Sequence, residues 1–129
     1  MQQLVYASRP FGYDTAILAG ILSRARVRNS QYDITGCLIC RPDIYLQLLE
    51  GPSGKVDTLF DKICNDDRHV DVKVLLQCEV QERLFPDWAM RHDPAQSWLW
   101  SPQEINAGIL EIVSPQDVRD VFLRSTAGS

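Results

Sequence analysis

The chain is short of positive charge, has only 2 histidines and contains no long hydrophobic run. Each scarcity removes a class of function. Against 17 Asp and Glu stand 13 Lys and Arg, a formal charge of -4 with a pI near 5.0. That balance opposes attraction to a polyanion, so nucleic acid is not expected as a partner. No stretch approaches the ~20 apolar residues of a membrane span. Met1 opens onto Gln2 and Gln3, not onto a basic segment followed by an apolar one. A cytoplasmic protein with no membrane contact is expected. His69 and His92 stand far apart in sequence, and the zinc-ligand spacings are missing, so no metal is expected. Gly-rich phosphate loops, nucleophile elbows and paired carboxylates in a local motif are also missing, which argues against an enzyme.

The 4 cysteines do not make a disulfide framework necessary. A chain of 129 residues buries roughly two thirds of its unfolded surface and needs no staple. Cys37 and Cys40 spell C-x-x-C, but Ile34-Thr35-Gly36-Cys37-Leu38-Ile39-Cys40 reads as a strand. On a strand, positions three apart face opposite ways, and redox pairs belong at helix N-termini. Cys37, Cys40, Cys64 and Cys78 are therefore expected as reduced thiols packed as small hydrophobes.

What is present is ordinary for one globular domain: 45% hydrophobic and 23% charged residues. Gln3 to Ser8 predicts a strand, stopped by Pro10 and Gly12. Ile17, Leu18, Ile21, Leu22 and Ala25 form one helical face, capped by Asp14 or Thr15 and reaching about Val27. Two apolar runs, 34–40 and 44–50, flank Arg41-Pro42-Asp43 as a hairpin. Val56, Leu59, Phe60, Ile63 and Cys64 predict a second amphipathic helix. Alternation from Val70 to Val80 predicts a long strand with one buried face, and Asp87 to His92 a shorter strand. The order βαββαβ plus a strand folds most naturally as an α+β, ferredoxin-like sheet with two helices on one face. Ser101-Pro102-Gln103-Glu104 and Ser114-Pro115-Gln116-Asp117 then start two short C-terminal helices. Their apolar positions are expected to pack on the bare sheet face or on another subunit.

Two polar residues interrupt strands that should bury hydrophobes: Tyr6 in the first, and Gln47 within Ile44-Tyr45-Leu46-Gln47-Leu48-Leu49. A buried carboxamide left unmet costs about 1–3 kcal/mol per group, so Gln47 must face backbone, water, another side chain or a ligand.

Leu4-Val5-Tyr6-Ala7-Ser8, Arg28-Asn29, Ile34-Thr35-Gly36, Leu46-Gln47-Leu48-Leu49-Glu50-Gly51, Asp66-Asp67-Arg68-His69 and Phe85-Pro86-Asp87-Trp88-Ala89-Met90 occur in this order. Together they resemble the signatures of the BLUF family, the flavin-based blue-light sensors, over residues 3 to about 92. The resemblance implies an FAD-binding photosensory domain, residues 1–93, followed by a helical extension, 94–129, with FMN or riboflavin as other candidates. It implies the isoalloxazine ring between the two helices. Tyr6 would be the electron and proton donor to the excited flavin and Gln47 the switch between Tyr6 and flavin N5 and O4. Asn29 and Arg28 would meet the ring's polar edge. Lys62 and Asp66, one helical turn apart, would meet the ribityl chain and phosphate, with Arg68 and His69 close by. Trp88 and Met90 would exchange places beside the switch, on one face of the last strand.

A signalling partner reached through the last strand and the tail is implied, and a homo-oligomer is expected from the apolar tail helices. The competing reading is a ferredoxin-like enzyme or metabolite-binding module in which Tyr6 and Gln47 merely line a pocket.

Overall fold

The computed structural model describes residues 1–10, 15–41, 44–65, 69–85, 91–94 and 99–127. The first strand, β1 (Gln2–Pro10), leads to helix α1 (Thr15–Gln31), the hairpin strands β2 (Thr35–Arg41) and β3 (Ile44–Gly51), helix α2 (Ser53–Cys64) and strand β4 (His69–Glu79). A short β5 (Arg91–Pro94) and three tail helices, α3 (Pro102–Asn106), α4 (Ile109–Ile112) and α5 (Pro115–Ala127), complete the order. The sheet runs β4-β1-β3-β2-β5. Its first four strands pair antiparallel, and β5 adds parallel to β2. This is the expected ferredoxin-like α+β arrangement.

Both helices pack on one face. Leu22 and Ala25 of α1 and Val56, Leu59 and Ile63 of α2 share a core with Leu4, Tyr6, Leu38, Tyr45 and Leu49. The other face is covered by the tail: Val118, Val121 and Phe122 of α5 join Val5, Ile39, Leu46, Leu48 and Phe85. Of the two expected resting places for the tail, the bare sheet face is the one it occupies. Central β3 is thus buried along its whole length, which explains an apolar run in an antiparallel strand that would otherwise alternate with polar residues.

Several expectations are corrected. Helix α1 continues past Val27 to Gln31 and closes on Asp33 at φ 58. The tail holds three helices where two were expected, because Gly108 at φ 92 breaks the first into α3 and α4; that left-handed conformation costs glycine no steric penalty. The last strand is Arg91–Pro94, later than Asp87 to His92, and residues 86–90 lie outside the described ones. The β4 alternation does not keep one buried face. Tyr6 pairs with Val74 and Val5 with Leu76, leaving Leu75 as an extra residue. This bulge re-aims the strand, so Val72 packs under the helices and Leu76 under the tail. Cys37 and Cys40 are buried on opposite faces as expected, whereas Cys64 is exposed and Cys78 half-buried. Cys64 is the last residue of α2, one position beyond Ile63, which still packs in the core. Both tail-helix starts hold: Ser101 makes a full capping box with Glu104, and Ser114 Oγ accepts from Asp117 N at 3.1 Å.

Candidate functional site

The site grows from the register of β1 and β3. Tyr6 and Gln47 are directly opposed across that antiparallel pair, so their side chains leave the sheet on the same face. It is the helical face, where Tyr6 belongs to the core and its ring meets Phe60 at 5.5 Å between centroids. Tyr6 is 0% and Gln47 5% exposed. The Tyr6 hydroxyl donates to Gln47 Oε1. The carboxamide that a hydrophobic strand should not contain therefore has its acceptor engaged by the second unexpected polar residue.

Asn29 reaches the same layer from α1. Leu22, Ala25 and Asn29 stand at i, i+3 and i+7 and are all buried, Asn29 fully so. The longer helix is what turns Asn29 inward, and its carbonyl accepts from Ile34 N at 2.9 Å at the entry to β2.

A second group sits at the rim. Lys62 lies on the exposed side of α2 and its Nζ donates to Tyr32 OH at 3.1 Å. Lys55 and Lys62 each place Nζ 5.3 Å from the Tyr32 ring centre. The Lys62 hydrogen bond, then the charges of Lys62, Lys55 and half-buried Arg28, lower the Tyr32 phenol below its ordinary pKa. Tyr32 and Lys55 were not among the expected site residues; the spacing of Tyr32 three positions after Asn29, at the end of α1, was the available signal.

The structure thus joins Tyr6 to Gln47, places Asn29 on the same layer, and sets Lys62 and Arg28 apart with Tyr32. Helix α2 ends at Cys64 with Asn65 as its C-cap, so the expected pairing of Lys62 with Asp66 runs beyond the described residues. Asp66, Arg68, Trp88 and Met90 lie outside the described residues. His69 opens β4, and only its backbone is described.

The family model described as "Sensors of blue-light using FAD" matches residues 1–91. The chain belongs to the BLUF family. Its domain is a blue-light sensor domain. The photoactivated adenylate cyclase subunit beta of Euglena gracilis is 38% identical over 74 residues, 57% of this chain. The chain spans only 9% of that protein's length. Among solved structures, BlrB, a BLUF protein in its dark state, superposes with a TM-score of 0.83 at 29% identity, covering 99% of this chain and 96% of that one. The photo-activated state of BlsA gives 0.81 at 26% identity, covering 97% and 94%. The match sets aside the reading as a ferredoxin-like enzyme or metabolite-binding module.

BLUF domains bind flavin, and the residues present fit one. A flavin needs an apolar slot for its fused rings, donors and acceptors along one edge, and cations for any phosphate. The helical face has Leu, Ile, Val and Phe side chains around three buried groups, Tyr6, Asn29 and Gln47, that both donate and accept. The rim adds Arg28, Lys55 and Lys62. Among the described residues no helix is long and apolar enough to cross a membrane.

Proposed function

We propose that residues 1–93 bind FAD over the helical face of the sheet, that Tyr6 and Gln47 are the photoactive pair, and that residues 94–129 pass the response to a partner protein. The observation that carries this reading is the Tyr6 hydroxyl hydrogen-bonded to Gln47 Oε1 inside the core. When bound, the flavin supplies the absorption of blue light and the redox chemistry.

The side chains do the rest. Tyr6 holds its proton at the phenolic oxygen, aimed at a carboxamide oxygen. A half-turn of the Gln47 amide puts Nε2 where Oε1 stood, exchanging an acceptor for a donor and reversing that hydrogen bond. Burial keeps water from competing for either group, so the two amide orientations remain distinct states. Asn29 orients the cofactor's polar edge, with Arg28 nearby. Lys62, Asp66, Arg68 and His69 are assigned to the ribityl chain and phosphates, and Trp88 and Met90 to the switch. For Asp66, Arg68, His69, Trp88 and Met90 the support is their sequence motif.

The receiving partner is a separate signalling protein or a second copy of this chain. Ile112 and Leu123 are apolar and exposed on the tail, which suits such a contact. A cytoplasmic location accords with the sequence.

Absorption spectroscopy tests the reading. Purified protein is expected to carry a yellow cofactor, to release FAD on denaturation, and to shift reversibly to the red under blue light. Colourless protein that takes up no flavin, or a bound flavin whose spectrum ignores blue light, would overturn it; released FMN or riboflavin would overturn the FAD assignment.

A further inference from the structure

A row of polar side chains crosses the tail face of the sheet. Glu50 of β3 stands opposite Gln3 of β1 and Thr35 of β2, and Gln3 stands opposite Cys78 of β4. Four neighbouring strands thus give one residue each to a single line. Its centre is Glu50, 0% exposed. Oε1 accepts from Gln3 Nε2 at 3.2 Å and Leu84 N at 2.9 Å; Oε2 accepts from Phe85 N at 2.7 Å and Thr35 Oγ1 at 3.4 Å.

An arginine closes each end. Arg119 of α5 places Nη2 3.4 Å from Gln3 Oε1 and 3.3 Å from Cys78 Sγ. Arg83 donates to Thr35 Oγ1 at 2.9 Å, to the Glu50 carbonyl at 3.3 Å and to the Asp33 carbonyl at 2.8 Å, and pairs with the Asp33 carboxylate at 3.2 Å.

Stability alone is a weak explanation for this arrangement. Buried ionic groups are often replaced by well-packed apolar ones at no loss, and what they supply best is a unique register. Here the register joins three parts that also share the apolar core on the tail face. These are the strand bearing Gln47, the Arg83–Phe85 segment and helix α5. Glu50 follows Gln47 by three positions on β3 and faces the opposite side of the sheet. A displacement of the β3 backbone at Gln47 therefore moves the carboxylate that holds the other two.

We propose that Glu50 is a positioning residue that ties the Arg83–Phe85 segment and, through Gln3 and Arg119, helix α5 to the switch strand, so that the light response reaches the tail through this row. The proposal rests on the photoreceptor reading above.

The test uses the flavin-loaded full chain with two readouts, the red shift under blue light and the light-minus-dark difference in amide hydrogen exchange along α5. Glu50→Gln keeps the size of the side chain but turns one acceptor into a donor facing donors. Its red shift is expected to persist while the α5 difference falls about 3- to 30-fold, the range for a residue that couples two sites. Arg119→Met cuts only the α5 end and is expected to lose the α5 difference with the red shift and the exchange of residues 83–85 unchanged. It decides the matter alone if Glu50→Gln does not fold. A red shift with no α5 difference in the unmodified protein, or undiminished α5 differences in the variants, overturns the proposal while leaving the photoreceptor reading intact. No red shift in the unmodified protein overturns both.

Discussion

Tyr6 and Gln47 are opposite one another on adjacent antiparallel strands, and the hydroxyl of one donates to the carboxamide oxygen of the other. The pair is fixed by backbone register, so neither side chain depends on a loop for its position. The bulge at Leu75 lies on the other side of Tyr6. The strand carrying the phenol is thus held regularly by β3 and irregularly by β4, and locally increased twist falls beside the switch.

Removing either partner separates binding from switching. Tyr6→Phe and Gln47→Leu are each expected to retain flavin and lose the red-shifted state, checked by difference spectroscopy under blue light. Tyr6→Phe also leaves Gln47 Oε1 without this donor, at a cost of about 1–3 kcal/mol in urea unfolding. A normal photocycle in either variant would remove that residue from its role.

The tail is part of the core. Phe122 is 0% exposed and meets Phe85 edge-on, 6.4 Å between centroids at 82°. Phe122→Ala is expected to destabilise the protein by about 3–5 kcal/mol, a large share of the roughly 5–15 kcal/mol available to a domain. A loss well under 1 kcal/mol in denaturant titration would mean that the tail contributes nothing to the sheet's stability.

Two glycines should respond oppositely to the same change. A Cβ at Gly36 would collide with the Leu48 carbonyl, a backbone group of the neighbouring strand that cannot step aside. Gly36→Ala is expected to cost about 1–3 kcal/mol or more. At Gly20, inside α1, an added Cβ meets nothing within 4 Å among the described residues, and Gly20→Ala is expected to add about 0.4–1 kcal/mol by restricting the unfolded chain. Paired thermal melts check both signs.

Tyr32 reports on the rim. Lys62→Met removes the hydrogen bond and the charge that lower its phenol, so phenolate absorbance should then appear at higher pH than in the unmodified protein. The sign for stability follows. A phenol lowered in the folded state contributes only above its folded pKa, with the full effect above the unfolded value. The two proteins should therefore show the same pH dependence below that range, and separate only in alkali. An unchanged titration curve would show that Lys62 does not hold Tyr32 in solution.

Much of this was legible in residue order. A period of 3.6 marked α2 and the apolar face of α5, and two apolar runs split by Arg41-Pro42-Asp43 marked the hairpin strands, because those segments bury one face or two in the simplest way. Ser101 and Ser114 announced their helices through local capping chemistry. The boundary errors have local causes too: Gly108 interrupts an apolar pattern that otherwise reads as one helix, and the α1 stripe was followed to Val27 although Asn29, polar and buried, belongs to it.

Sequence by itself determined the order of elements, the fold class, the membership in a flavin-binding sensor family, and the choice of Tyr6 and Gln47 as residues out of place in their strands. Only the tertiary structure decided that these two meet, that β4 changes faces, that Lys62 turns to Tyr32, and that Glu50 gathers Gln3, Thr35 and the Arg83–Phe85 segment. Periodicity reports how one segment alternates between core and solvent. It carries no record of which strand lies alongside or in what register, and hydrogen bonds between residues 41 or 47 positions apart are set by that register alone.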